Sequence, residues 1–214
     1  TFSVNPVNST LDVDDAETVY GESVEVNVTY EGATGIAAEI DGKNLSVKDN
    51  MIVIPDDLDA GEYKLTVTTV PDSNHVAVSK QATVTVNKAN STLTVSDVTF
   101  DYGQRGTANT TFTGASGIVA VVNDLGAVVE INGNVITIFN LTAGKYRLTV
   151  TTVPDANHEE TTEFADVTVN KIDSDVDVAV PVIYYGTSAE VIATYDGATG
   201  IVAEIDGKNL TVKG

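Results

Sequence analysis

Two histidines offer the most obvious chemistry in these 214 residues, His75 beside Asp72 and Asn74, and His158 beside Asp155 and Asn157. An imidazole three residues from a carboxylate could hold a metal or move a proton. One His and one short acid per turn fall below the three or four protein ligands that zinc requires, so the spacing favours a turn-forming role. Two acidic clusters, Asp12, Asp14 and Asp15, then Asp56, Asp57 and Asp59, offer the oxygen ligands that calcium takes. At the corresponding places further along stand Thr94, Ser96 and Asp97, then Asn140 and Thr142, which speaks against a calcium site shared by the copies. No metal and no cofactor is therefore expected. No Ser or Thr has a His and acid partner in a recognisable motif, and no Gly-rich segment opens a helix to cradle phosphate, so catalytic residues are not expected either. Asn8, Asn27, Asn44, Asn90, Asn109, Asn140 and Asn209 each begin N-x-S/T and are candidate glycosylation sites. A Lys–Asn isopeptide bond would need Lys, Asn and acid buried together, but the alternation of residues puts each Lys on an outer face or in a loop.

The elements that carry these groups repeat. Leu58 to Asp72, LDAGEYKLTVTTVPD, returns at Leu141 to Asp155 as LTAGKYRLTVTTVPD. After the Gly-bearing turn, Tyr63, Leu65 and Val67 alternate with Lys64, Thr66 and Thr68, the period of a half-buried strand. A Leu, a tight turn and then a Tyr opening such a strand is the pattern of a tyrosine corner, in which the phenol bonds back to the upstream backbone of an immunoglobulin-like sandwich. Tyr63 and Tyr146 are the expected corner residues.

Around that strand the rest of repeat 1 can be laid out. Leu11 and Val13 suggest a first strand, and Val24 to Tyr30 a second with Val24, Val26, Val28 and Tyr30 inward. Ile36 to Ile40 is a third, followed by the Asp41–Gly42 hairpin signal and one short strand through Leu45 and Val47. Met51 to Ile54 precedes the corner, and Ala82, Val84 and Val86 mark the last strand. The glycines of GATG at 32–35, GASG at 114–117 and GATG at 197–200 stand at equal offsets, which suggests positive φ. Residues 1–6 read as the end of a preceding repeat, 7–88 as repeat 1, 89–171 as repeat 2 and 172–214 as the first half of repeat 3, cut from a longer array. A phase-shifted alternative would join 131–171 to 173–214, but the N-K-x-N/D-S segment reads as a linker. The half repeat would expose Val191, Ala193, Tyr195, Ile201, Ala203 and Ile205, so a homodimer completing it in trans is an expected partnership.

Composition narrows the class. Val and Thr are abundant, no window shows helical spacing of apolar residues, and the class expected is all-β, tandem immunoglobulin-like β-sandwich repeats. A formal charge of −20 argues against nucleic acid and anionic membranes as partners, because phosphate needs clustered Lys and Arg. Such a surface repels its own copies and stays soluble. With zero Cys, cohesion rests on packing and hydrogen bonds rather than disulfides.

The order of a G-x-x-G-x-[VI] strand, a D-G-x hairpin, L-x-A-G-x-Y-x-[LV]-T-V and P-D-x-N-H resembles the bacterial and archaeal immunoglobulin-like repeat domains of cell-surface adhesin-like proteins, especially those of methanogenic archaea. The resemblance spans the whole chain and implies an extracellular, cell-surface location. It implies a structural stalk or adhesion repeat with no catalysis, or alternatively repeats that bind a protein or glycan ligand on another cell.

Overall fold

The computed structural model describes residues 2–213, and every regular element among them is a β-strand. In repeat 1, Thr10–Val13, Val24–Glu31, Met51–Ile54 and Ser46–Lys48 form one sheet in that spatial order. Ala16–Val19, Ser79–Asn87, Gly61–Val70, Gly35–Ile40 and Lys43–Asn44 form the other. Within these two sheets all pairings are antiparallel except Ala16–Val19 against the last strand, and a separate two-residue pairing of Val7–Asn8 with His75–Val76 is also parallel. The opening segment thus serves both sheets, which with this strand order makes an immunoglobulin-like sandwich.

Alternation builds the core. Val26, Val28, Ile52 and Ile54 point from the first sheet, and Ile40, Leu65, Val67 and Val84 from the second, into one buried cluster. Repeat 2 repeats the plan. Thr92–Val95, Gly106–Thr113, Val135–Phe139 and Val128–Asn132 face Val98–Asp101, Thr162–Asn170, Gly144–Val153 and Gly117–Val122. Its core of Ile136, Ile138, Leu148, Val150 and Val167 shares no residue with the first.

Two local expectations change. The short strand through Leu45 and Val47 is broken at Leu45: Lys43–Asn44 pairs with Gly35–Ile40, whereas Ser46–Lys48 pairs with Met51–Ile54 in the opposite sheet. Leu45 makes the crossing, its N–H donating to the Ala38 carbonyl at 2.9 Å. Of each glycine pair, the first (Gly32, Gly114 and Gly197) has positive φ, while Gly35, Gly117 and Gly200 do not, because Gly35 and Gly117 already belong to strands. The hairpin signal holds in detail: Asp41 and Gly42 have φ of 47° and 75°, both left-handed as a type I′ turn demands.

Residues 195–213 repeat 30–48 with three changes, E31D, A37V and S46T in shared register. They nevertheless form less structure. Asp175–Val178 pairs with Ala193–Asp196 in the register of repeat 1, and Glu204–Ile205 with Lys208–Asn209, but of the counterpart of Gly35–Ile40 only Glu204–Ile205 is a strand. In repeat 1 that strand lies against Gly61–Val70, and no counterpart of Gly61–Val70 lies beside it here. Ile205 is 62% exposed where its twin Ile40 is 0%.

Candidate functional site

The chain's polar specialisation gathers at the ends of the sandwiches. Leu58 and Leu141 are buried under the corner turns, so the chain must bend sharply before the long strand starts. The Tyr63 hydroxyl donates to the Asp59 carbonyl at 2.8 Å, and the Tyr146 hydroxyl to the Thr142 carbonyl at 2.9 Å. Each bond closes a loop four residues long across the bend. Desolvation first, and the Asp59 carboxylate second, push the Tyr63 phenol above its ordinary pKa. Tyr63→Phe keeps the ring's packing and deletes this bond. It is expected to lower the stability of repeat 1 by about 1 kcal/mol, read as a shift in urea midpoint at constant slope.

The P-D-x-N-H turns stand at the opposite end of each repeat. Asp72 Oδ1 accepts the N–H groups of Asn74 and His75, both at 2.7 Å, while His75 Nδ1 lies 2.9 Å from the same oxygen. Asp155, Asn157 and His158 reproduce the arrangement. The N–H of Asn74 and the His75 ring hold the Asp72 carboxyl below its usual range; at Asp155 the His158 ring is the leading cause, then the N–H of Asn157. Each imidazole lies on the first glycine of the preceding turn: a Cβ built on Gly32 or Gly114 would come within 2.5 Å of the ring. Among the described residues no three His, Cys, Asp or Glu side chains converge as metal ligands.

Two serines and two threonines that carry no sequence-level signal of chemistry anchor these turns. Ser9 Oγ donates to the Gly32 carbonyl at 2.7 Å, and Ser91 Oγ lies 2.7 Å from Thr152 Oγ1 in the interior. Thr69 and Thr152, each 1% exposed, accept the N–H groups of Val78 and Thr161. Their recurrence in both repeats was the available signal.

The acidic clusters are dispersed among other partners. Asp12 pairs with Lys80, Asp15 accepts the Thr83 N–H at 2.6 Å, and Asp97 accepts the Asp166 N–H at 2.8 Å. Asp15 and Asp97 thereby satisfy the last strand where the opening segment changes sheets. Each described Lys is exposed. So are all seven sequon asparagines, Asn8, Asn27, Asn44, Asn90, Asn109, Asn140 and Asn209, although Asn140 Nδ2 also donates to the Gly126 carbonyl at 2.7 Å. A shallow recess of about 240 Å³ lies between Thr10, Asp12, Thr29, Tyr30 and Glu31.

No family model and no curated protein matches the chain. Solved structures of similar architecture include the titin domains Z1Z2 in complex with telethonin, 12% identical over 79% of this chain and 100% of that one, TM-score 0.43. Drosophila N-cadherin EC1-4 is 14% identical over 78% of this chain, TM-score 0.40, and this chain spans 50% of it. The fibronectin(III)-like modules of Clostridium thermocellum CbhA are 14% identical over 76% of this chain and 94% of theirs, TM-score 0.31. The immunoglobulin-like assignment made above rests on strand order and register.

Proposed function

We propose that this chain is a structural stalk and adhesion repeat of a large extracellular surface protein, with no catalysis of its own. The observation that carries the reading is the placement of the sequons. Seven of them are spread over three repeats, and every one has its Asn exposed on a strand face or turn, where a glycan meets solvent rather than core. Separate cores in series add length without adding a shared interior, and an excess of negative charge keeps neighbouring stalks apart. Mass spectrometry of the protein from its native source is expected to find hexose-bearing peptides at several of the seven asparagines. Unmodified peptides at all seven would overturn the carrying observation.

In the alternative, the repeats themselves bind a glycan or protein ligand. Stacking on sugar needs open aromatic faces; the Arg105 guanidinium lies 3.8 Å over the Phe139 ring and Arg147 lies 3.7 Å over Phe164, while Tyr102, Tyr184 and Tyr185 are exposed. What favours the stalk reading is the placement of the sequons. A homodimer through residues 172–213 belongs to the same proposal, supported by the 51% and 48% exposure of Val178 and Val191, whose twins Val13 and Val26 are buried. Light scattering at rising concentration is expected to approach twice the chain mass of 22.4 kDa, and a constant single-chain mass removes the dimer.

A further inference from the structure

We propose that the P-D-x-N-H turn is the docking element that fixes the orientation of one repeat on the repeat before it, with Asn157 as a two-point clip. The two ends of the Asn157 carboxamide bond different parts of one corner turn in repeat 1. Its Oδ1 accepts the Ala60 N–H at 2.9 Å, and its Nδ2 donates to Asp59 Oδ1 at 2.9 Å. A single hydrogen bond leaves rotation free, whereas two from one planar group set both direction and twist.

Two further contacts flank the clip. The His158 ring meets Tyr20 of repeat 1 edge to face, with centroids 5.2 Å apart and planes at 77°. Lys88 is the only residue between the last strand of repeat 1, ending at Asn87, and the strand Ala89–Asn90 of repeat 2. Its Nζ donates to the Asp155 carbonyl at 3.1 Å, on the same turn. Linker, ring and carboxamide thus hold three separate points of one turn.

The chain contains its own control. The equivalent turn of repeat 1 makes the same internal bonds, but Asp72 and Asn74 are exposed where Asp155 and Asn157 are half-buried. Likewise Tyr102, the counterpart of Tyr20 in repeat 2, is 49% exposed, whereas Tyr20 is half-buried. The turn's internal geometry is therefore complete without a neighbour, and the carboxamide and the outer face of the imidazole remain for docking. Repeat 2 also carries Thr142 where Asp59 stands, and the Thr142 hydroxyl lies 2.8 Å from the Tyr146 hydroxyl. At the second corner a hydroxyl thus takes the place of the carboxylate that accepts from Asn157.

This inference concerns the joint and does not depend on the stalk reading, since a freely jointed array could serve as a stalk too. Having no cysteine, the full chain can be spin-labelled at Gln81→Cys and Glu163→Cys, exposed positions on the last strands of the two repeats. Pulsed dipolar spectroscopy is expected to give one narrow distance distribution. Asn157→Ala should broaden it about twofold or more, because small interfaces within a chain otherwise allow relative motion. Asn157→Asp should do the same, since it sets a carboxylate against Asp59, and Tyr20→Ala attacks the joint from repeat 1 should the first variants unfold repeat 2. Asn74→Ala, in the turn without a docked neighbour, should leave the distribution unchanged. A broad distribution in the parent chain, or an unchanged width after both Asn157→Ala and Tyr20→Ala, overturns the proposal.

Discussion

Replacing Leu148 by Ala should unfold the second sandwich at lower denaturant while the first keeps its own transition. Leu148 is 0% exposed among Ile136, Ile138, Val150 and Val167 at the centre of the second core. Removing a fully buried isobutyl group loses its transfer free energy and leaves a cavity that the close-packed strands fill only in part, a loss of about 2–5 kcal/mol. The two cores have no residue in common, so that loss has no direct packing route into the first. The polar joint can pass on only nearest-neighbour coupling. Amide intensities of each repeat, followed separately through a urea titration by NMR, should show the midpoint falling for residues 92–170 and holding for residues 10–87. Equal displacement of both sets would show that the cores unfold as one unit.

The second large effect concerns a glycine whose role is packing rather than conformation. Gly106 opens a strand of repeat 2 and is buried, and a Cβ at that position would lie 2.2 Å from Phe100 Cδ1 and 2.5 Å from Val98 Cγ1. Its counterpart in repeat 1 is Val24, and the counterpart of Phe100 is Thr18. One repeat fills the space with a large side chain on one strand and none on the other, and its neighbour divides the volume between two of middling size. Gly106→Val alone is therefore expected to cost about 3 kcal/mol or somewhat less by overpacking. Gly106→Val with Phe100→Thr recreates the Val24–Thr18 pair, although Val98 stands where repeat 1 has the smaller Ala16, and should recover part of that loss. Calorimetric melting of the two single variants and the double completes the cycle, and a double variant no more stable than Gly106→Val alone would show that Phe100 is not what the glycine accommodates.

These cases separate what local pattern carries from what it does not. Alternation was sufficient to place Val26, Val28, Leu65, Val67, Val84 and Val86 inward, because a strand's side chains change face at every residue whatever its partner. The Asp41–Gly42 turn was equally legible, since few other pairs adopt two left-handed conformations in succession. Leu45 was misread for the complementary reason. Nothing in GKNLSVK marks where the chain leaves one sheet for the other, a point decided by which strand each segment finds across the sandwich.

The candidate chemistry divides along the same line. That turns precede His75 and His158, each of which opens a two-residue strand, followed from the neighbouring Asp and Asn, which act over two or three residues. That His158 also meets Tyr20, or that Asn157 reaches Asp59 from 98 residues away, could not be read from spacing. Recurrence of Asn74 and Asn157 at equal offsets singled them out without naming a partner.

By itself the sequence determined the strand periodicity, the turn chemistry, the repeat and the surface charge, because each depends on a residue and its near neighbours. Tertiary structure alone decided which sheet each short strand joins, which glycine makes room for Phe100, and how one repeat seats on the next. Those outcomes depend on atoms brought together from distant parts of the chain, where a few tenths of a nanometre separate a contact from open space. Residues 195–213 are the clearest instance: nearly the sequence of 30–48, they keep only Glu204–Ile205 of the strand that in repeat 1 pairs along Gly61–Val70.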